Sequence, residues 1–500
     1  MTSALVAIQG PSIDWFSLSP LLVLLGTAMF LLVVGSLVSS WPRRLSAALT
    51  AASAVAVGVL AVVLWRQVDR DGEVTLVGEA MSLDHLTLWV TITVAIALLL
   101  GAFIADDYLR REDLDGVEPY SLLQLAAIGA IIMASANDLI VLFLGIEILS
   151  LALYVLAASH RKRIESQESG LKYFVLGGFS SAFFLYGAAL VYGATGSTNY
   201  LDIVSAFGSA IELDTSNNAL VLAGVAMLIV GLAFKVGAVP FHFWTPDVYQ
   251  GAPTPVTAFM ASAAKAAAFA AMLRVLIDAL GHWSDDYRPV VWVVAVLTLV
   301  GGSVMAVVQT DVKRMLAFSS ISHAGFMLVG VEAAAHRPGD LSSAGSSAVL
   351  MYTMVYAVLV LGTFAVITAV GRTGDAATDL GAFRGLGRTR PVLALAMTIL
   401  LLAQAGVPLT SGFVAKFQVI EAAVTEKSYW LAVVAMLSAV IAAFLYLRIM
   451  ISMWVADAEP GDDAREAVRV PALLGVALAA SVAFTLVIGI YPSPLISITP

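Results

Sequence analysis

Five ionisable residues stand inside apolar runs long enough to span a bilayer: Glu147, Lys235, Lys265, His323 and Lys416. Glu147 lies in VLFLGIEILSLALYVL, about ten residues from either end of its run and hence about 15 Å deep. Its side chain is too short to snorkel to water. Lys265 sits mid-run in AFMASAAKAAAFAAML, among alanines that let neighbouring helices approach. Lys235, in GLAFKVGAVPFHFW, precedes Pro240, and Lys416, in GVPLTSGFVAKFQVI, follows Pro408. His323 is set among serines in SSISHAGFMLVG. A charge at mid-bilayer costs roughly 2.5–3.5 kcal/mol, so such residues usually mark ion or proton pathways. Lysine taken out of water releases its proton more readily, and histidine titrates near neutrality. The set can therefore load and pass protons. In this reading Glu147 and Lys235 form a coupled pair, Lys265 and His323 continue the path, and Lys416 ends it. The competing role for each is structural pairing inside a helix bundle. Lys172, in GLKYFVLGG, reads as an accessory anchor at the cytoplasmic side, and Asp247 as a loop or helix-cap carboxylate.

These residues need helices to hold them and breaks to admit water. Gly237 and Pro240 interrupt the run of Lys235, and Gly406 and Pro408 that of Lys416. A broken helix is tolerated at membrane depth only where protein or water satisfies the freed backbone groups. Apolar stretches predict about fourteen spans, from 18–39 to 470–491, each close to the length of about 20 residues that a bilayer demands. Of the 26 Lys and Arg, alternating loops place about sixteen on one side and about six on the other, which puts both termini outside. The remaining four are Lys172, Lys235, Lys265 and Lys416. No loop is long enough to fold alone, so function must lie in the membrane.

Composition agrees. The 500 residues are 60% hydrophobic and 12% charged, with a mean hydropathy of +0.93, which describes an all-α polytopic membrane protein and excludes large soluble domains. Zero cysteines exclude disulfides, iron–sulfur clusters and thiolate zinc sites, and six histidines without a haem motif offer no redox or metal centre. A net charge of −9 spread over short acidic loops argues against nucleic acid as a partner. The first span lacks a basic leader and a cleavage site, so no removable signal peptide is read.

Three blocks carry a family resemblance: Phe234 to Val275, FKVGAVPFHFWTPDVYQGAPTPVTAFMASAAKAAAFAAMLRV; Leu171 to Ser197, LKYFVLGGFSSAFFLYGAALVYGATGS; and Asp311 to Gly330, DVKRMLAFSSISHAGFMLVG. They resemble the antiporter-like membrane subunits of respiratory complex I, the proton-pumping NADH-quinone oxidoreductase. Within that family QGAPTPVT and the LKYFVLGG run look most like subunit N. The resemblance implies proton-site roles for Glu147, Lys235, Lys265 and Lys416, with Lys172 and His323 also at family positions. It further implies two inverted five-helix repeats, each with a broken helix. The expected division is 1–118 for N-terminal helices 1–3, 119–280 for a first antiporter-like half, 281–454 for a second, and 455–500 for a C-terminal loop and last helix. NADH, FMN, iron–sulfur clusters and quinone would reside in other subunits, with no cofactor or metal in this chain. Subunits M and K and membrane lipid would be its neighbours, in a bacterial cytoplasmic membrane. Leu409 departs from the pattern, since many relatives carry a second proline there. The rival resemblance is to a subunit of a multisubunit cation/proton antiporter or membrane-bound hydrogenase.

Overall fold

With no water at bilayer depth, a backbone satisfies its own N–H and C=O groups only as helix or closed barrel. This chain takes helix. The structure, a computed structural model, describes residues 13–38, 41–42, 44–114, 116–208, 215–371, 373–456 and 470–500. Arg43, Arg372, Arg465 and Arg469, which entered the charge count, lie outside the described residues.

Helices α1 (Ser19–Leu37), α2 (Leu45–Asp71) and α3 (His85–Arg111) open the chain. A hairpin of β1 (Val74–Leu76) and β2 (Met81–Leu83), antiparallel with Val74 opposite Leu83, turns α2 into α3. Then come α4 (Glu118–Ser135), α5 (Leu139–Ala157), α6 (Ile164–Thr195), the short α7 (Tyr200–Gly208), α8 (Thr215–Val236) and α9 (Trp244–Gly251). Next, α10 (Thr254–Phe259), a π turn at Met260–Ala264, α11 (Lys265–Leu273) and a second π turn at Arg274–Ala279 form one rod. The second half holds α12 (Ser284–Val307), α13 (Val312–Ala334), α14 (Ala344–Val370), the single turn α15 (Leu386–Thr389), α16 (Pro391–Ala405), α17 (Ser411–Thr425) and α18 (Tyr429–Trp454). α19 (Ala472–Ile490) and α20 (Ser493–Ile498) close the chain.

Among the described residues, 13 helices are long and apolar enough to cross a membrane. The run 391–420 is instead divided into α16 and α17, neither long enough alone. Burial sorts the helices. The rod Thr254–Ala279, α13 and α14 are 94%, 100% and 94% buried over their apolar windows, against 22% for α1 and 28% for α19. The rod and α13, which carry Lys265 and His323, therefore form the centre of the bundle, shielded from lipid. Small residues permit this packing: a Cβ on Gly302 of α12 would stand 2.5 Å from the Ser322 backbone nitrogen of α13.

Each end of the bundle is tied by a buried charge. At the end holding the Lys/Arg-rich loops, Asp375 accepts from Arg163 Nη1 at 3.1 Å, Lys313 Nζ at 3.3 Å, Thr254 Oγ1 at 2.9 Å and the Tyr108 hydroxyl at 3.1 Å. Burial pushes the Asp375 carboxyl up, but Lys313 and Arg163 outweigh it and hold it below the usual carboxylate range. Lys313 enters the sequence count as a loop cation; the fold buries it wholly beside Asp375. At the opposite end Arg274 Nη2 donates to both carboxylate oxygens of Asp84 at 2.7 Å.

Candidate functional site

The first helix break follows from backbone chemistry. α8 stops at Val236, Gly237 takes φ +75°, and the Val239–Pro240 peptide is cis before α9 begins at Trp244. Gly237 is needed at that φ because a side chain is disfavoured there. The carbonyl of Phe234, freed at the helix end, is recovered by Trp244 Nε1 at 2.9 Å. Lys235 is thereby fixed one residue from the break. Its Nζ donates to Ser150 Oγ and stands 5.9 Å from the Tyr154 ring centre.

Glu147 is on α5, three residues before Ser150, and accepts a hydrogen bond from Ser181 of α6. The structure holds no Glu147–Lys235 ion pair within 4 Å. Each member of the anticipated pair has its own serine partner, and the Ser150 hydroxyl donates in turn to the Ile146 carbonyl.

Lys265 starts α11 directly after a π turn, a bulge that re-aims one side chain relative to a regular helix. Its Nζ donates to the Ser320 carbonyl at 2.6 Å and to Ser320 Oγ at 2.7 Å on α13. No carboxylate pairs with it among the described residues. Lys235 and Lys265 line one cavity of ≈ 10 Å³, together with Thr245, Tyr249, Tyr173 and Trp244. That is about the space one water needs. Thr245 Oγ1, buried and without a partner, borders it.

From Lys265 the polar groups continue through aromatics. The Tyr356 ring lies 5.6 Å from Lys265 Nζ, and its centre is 4.7 Å from that of the His323 ring. His323 Nδ1 meets the Tyr352 hydroxyl at 2.8 Å and Nε2 the Tyr446 hydroxyl at 3.1 Å, so both ring nitrogens are satisfied. The Phe326 ring is stacked on Tyr352, and Lys416 Nζ sits 4.8 Å from the Phe326 centre.

Lys416 is held by the second break. α16 ends at Ala405, Gly406 takes φ +89°, Leu409 takes φ +67°, and α17 resumes at Ser411. The Gln404 and Ala405 carbonyls, orphaned by the break, each accept from Lys416 Nζ at 2.9 Å. A cation at the carbonyl end of a helix is favoured by its dipole. Leu409, where a second proline was anticipated, adopts the left-handed turn itself.

Lys172 stands apart from this line. It is paired with Glu168 and Asp247, each at 2.7 Å, with its side chain 41% exposed. Asp247 lies in the first turn of α9 and also accepts from Arg314 at 2.8 Å, so it joins elements rather than capping one. Sequence reasoning missed the hydroxyl groups: Ser150, Ser181, Ser320, Tyr352, Tyr356 and Tyr446. Tyr352 and Tyr356 had a signal, since a spacing of four puts both on one face of α14.

Comparisons with known proteins agree with this geometry. Residues 136–442 match the family model described as NADH:quinone oxidoreductase/Mrp antiporter, transmembrane. NADH-quinone oxidoreductase subunit N of Salinispora arenicola is 42% identical over 520 aligned positions, covering 98% of this chain and 97% of the relative. A chain of respiratory complex I from Thermus thermophilus superposes with a TM-score of 0.80 at 29% identity, over 96% of this chain and 98% of that one. A chain of the archaeal membrane-bound sulfane sulfur reductase superposes at 0.82 with 28% identity, over 97% and 96% of the two chains.

Proposed function

Because the chain belongs to the NADH:quinone oxidoreductase/Mrp antiporter family, and within it to the subunit N relatives, we propose that it is the proton-translocating membrane subunit N of an NADH-quinone oxidoreductase. In this reading NADH oxidation and quinone reduction occur in other subunits, which hold the FMN and iron–sulfur clusters, and their free energy moves protons through this one. The observation that carries it is the cavity shared by Lys235 and Lys265 at the centre of the bundle. A proton can pass between the two amines by way of water in that cavity, and a change in the charge or distance of Glu147 alters which amine holds it.

The route runs from Glu147 and Lys235 through Lys265, Tyr356 and His323 toward Lys416. Lys265 is its pivot, since it has hydroxyl and carbonyl partners but no fixed counter-ion, so the proton is free to leave. The two halves at 119–280 and 281–454 are inverted repeats, each contributing one broken helix. The chain resides in a bacterial cytoplasmic membrane with both termini outside, between subunits M and K. The test is to extract membranes in mild detergent, stain a native gel for NADH oxidation and identify this chain in the active band by mass spectrometry. Its presence only in an assembly without NADH activity would favour a cation/proton antiporter or hydrogenase-type complex instead.

A further inference from the structure

At the end of α13 away from the Lys/Arg-rich loops, Glu332 is a carboxylate that the lysine route does not use. It is 3% exposed. Its Oε1 accepts from Ser428 Oγ at 2.9 Å, and His336 Nε2 lies 3.2 Å from the same oxygen. Its Oε2 is buried with no hydrogen-bond partner. A buried polar atom left unpaired costs of order 1–3 kcal/mol, which a proton on that oxygen and a passing water would relieve. His336, one turn on, has its side chain 23% exposed, and its Nδ1 faces Arg288 Nη1 at 3.5 Å. Nearby, Arg288 also pairs with Asp285 at 3.4 Å and Arg337 with Glu426 at 2.9 Å, while Asp340 accepts from Ser342 Oγ at 2.7 Å. Glu332 and His336 thus form a titratable pair with one member in the dry interior and the other touching solvent.

The pair lies on the line that Lys416 begins. α13 and α17 run side by side toward this end. Lys416 meets α13 at Phe326. One turn farther along α13, the Cβ position of Gly330 stands 3.4 Å from Val419 of α17. Two residues beyond is Glu332, six residues from Phe326 and so about 9 Å along the axis.

We propose that Glu332 is the proton acceptor between Lys416 and the solvent on this face, with His336 handing the proton out. The proposal rests on the reading that Lys416 ends the internal route. A proton leaving Lys416 Nζ crosses the α13–α17 seam on water and binds the Glu332 carboxylate. In the structure Arg288 Nη1 can only donate to His336 Nδ1, so Nε2–H donates to Glu332 Oε1. A turn of the ring presents the free Nδ1 to the protonated carboxyl, which gives it a proton while Nε2 releases its own to solvent, so neither residue gains net charge over a cycle.

The alternative is that Glu332 only anchors Ser428 at the start of α18. Glu332→Gln separates the two, since its amide oxygen still accepts from Ser428 but carries no proton. In the assembled complex, in inverted membrane vesicles, Glu332→Gln is expected to lower protons translocated per NADH oxidised by about threefold or more, and Glu332→Asp to restore most of it. His336→Gln is expected to do the same and to remove the histidine limb of the pH profile. An unchanged ratio in assembled Glu332→Gln overturns the proposal. If that variant does not assemble, His336→Gln decides, and an unchanged ratio and profile there overturn it equally. Lys265→Ala is run in parallel: lost pumping there with normal Glu332→Gln sinks this exit alone, whereas normal pumping in both sinks the proton-translocating reading itself.

Discussion

Lys235 and Lys265 stand on one cavity with room for about one water, although they belong to different helices on either side of a break. Thirty residues of chain separate them, yet the fold brings both to the lining of the same cavity. Lys235 Nζ donates to Ser150 Oγ, and Lys265 Nζ to the carbonyl and Oγ of Ser320.

Lys265→Ala should leave assembly intact and abolish proton transfer through this chain, seen as a lower ratio of protons translocated per NADH oxidised. Alanine already lines the surrounding helix, so packing suffers little. Vesicle acidification with NADH checks it, with a native gel for assembly. Normal pumping in the assembled variant would remove Lys265 from the route.

Glu147→Gln retains an acceptor for Ser181 but loses the charge that Lys235 senses. Pumping is expected to fall several-fold, while Glu147→Asp keeps most of it. Normal pumping in Glu147→Gln together with loss in Glu147→Asp would mean that side-chain reach, not charge, is what matters.

Gly406→Ala tests the second break. Its φ of +89° disfavours a side chain, and the added Cβ would lie 2.8 Å from Lys416 Cδ. The backbone strain is of order 1–3 kcal/mol, so both thermal stability and pumping should drop. Gly26→Ala is the control, because nothing lies within 4 Å of its Cβ position. Identical behaviour of the two variants would contradict the packing described at Lys416.

Asp375→Asn leaves Lys313 and Arg163 buried beside a neutral partner, a change that costs about 3–5 kcal/mol for such pairs. The pH dependence has a defined sign. Burial raises the Asp375 carboxyl, but its two cations hold it below the ordinary value, so the unfolded chain binds more protons in that window. The contribution is complete above about pH 3.9 and is lost as pH falls through the depressed native value. Thermal unfolding between pH 6 and 3 should show a smaller acid loss in Asp375→Asn than in the parent chain. An equal loss in both would place the acid-sensitive group elsewhere.

Much of the architecture was legible in the residues. Spans follow from apolar length, because a bilayer admits backbone only as helix, and the breaks follow from Gly237, Pro240, Gly406 and Pro408, because these residues cannot continue one. The five ionisable residues inside apolar runs were visible for the same reason: each opposes its apolar surroundings at a known cost. What they touch was not visible. Serine and tyrosine are common in apolar helices and carry no such cost, so nothing marked Ser150, Ser181 or Tyr446 until the helices were packed together. Nor could a loop cation such as Lys313 be told from a buried one, since its depth depends on Asp375, 62 residues away. Sequence by itself determined which groups can carry a proton and how deep each lies along its own helix. Only the tertiary structure decided which hydroxyls and rings each of them meets, because those contacts depend on distances of a few ångströms between helices, which no single-chain periodicity encodes.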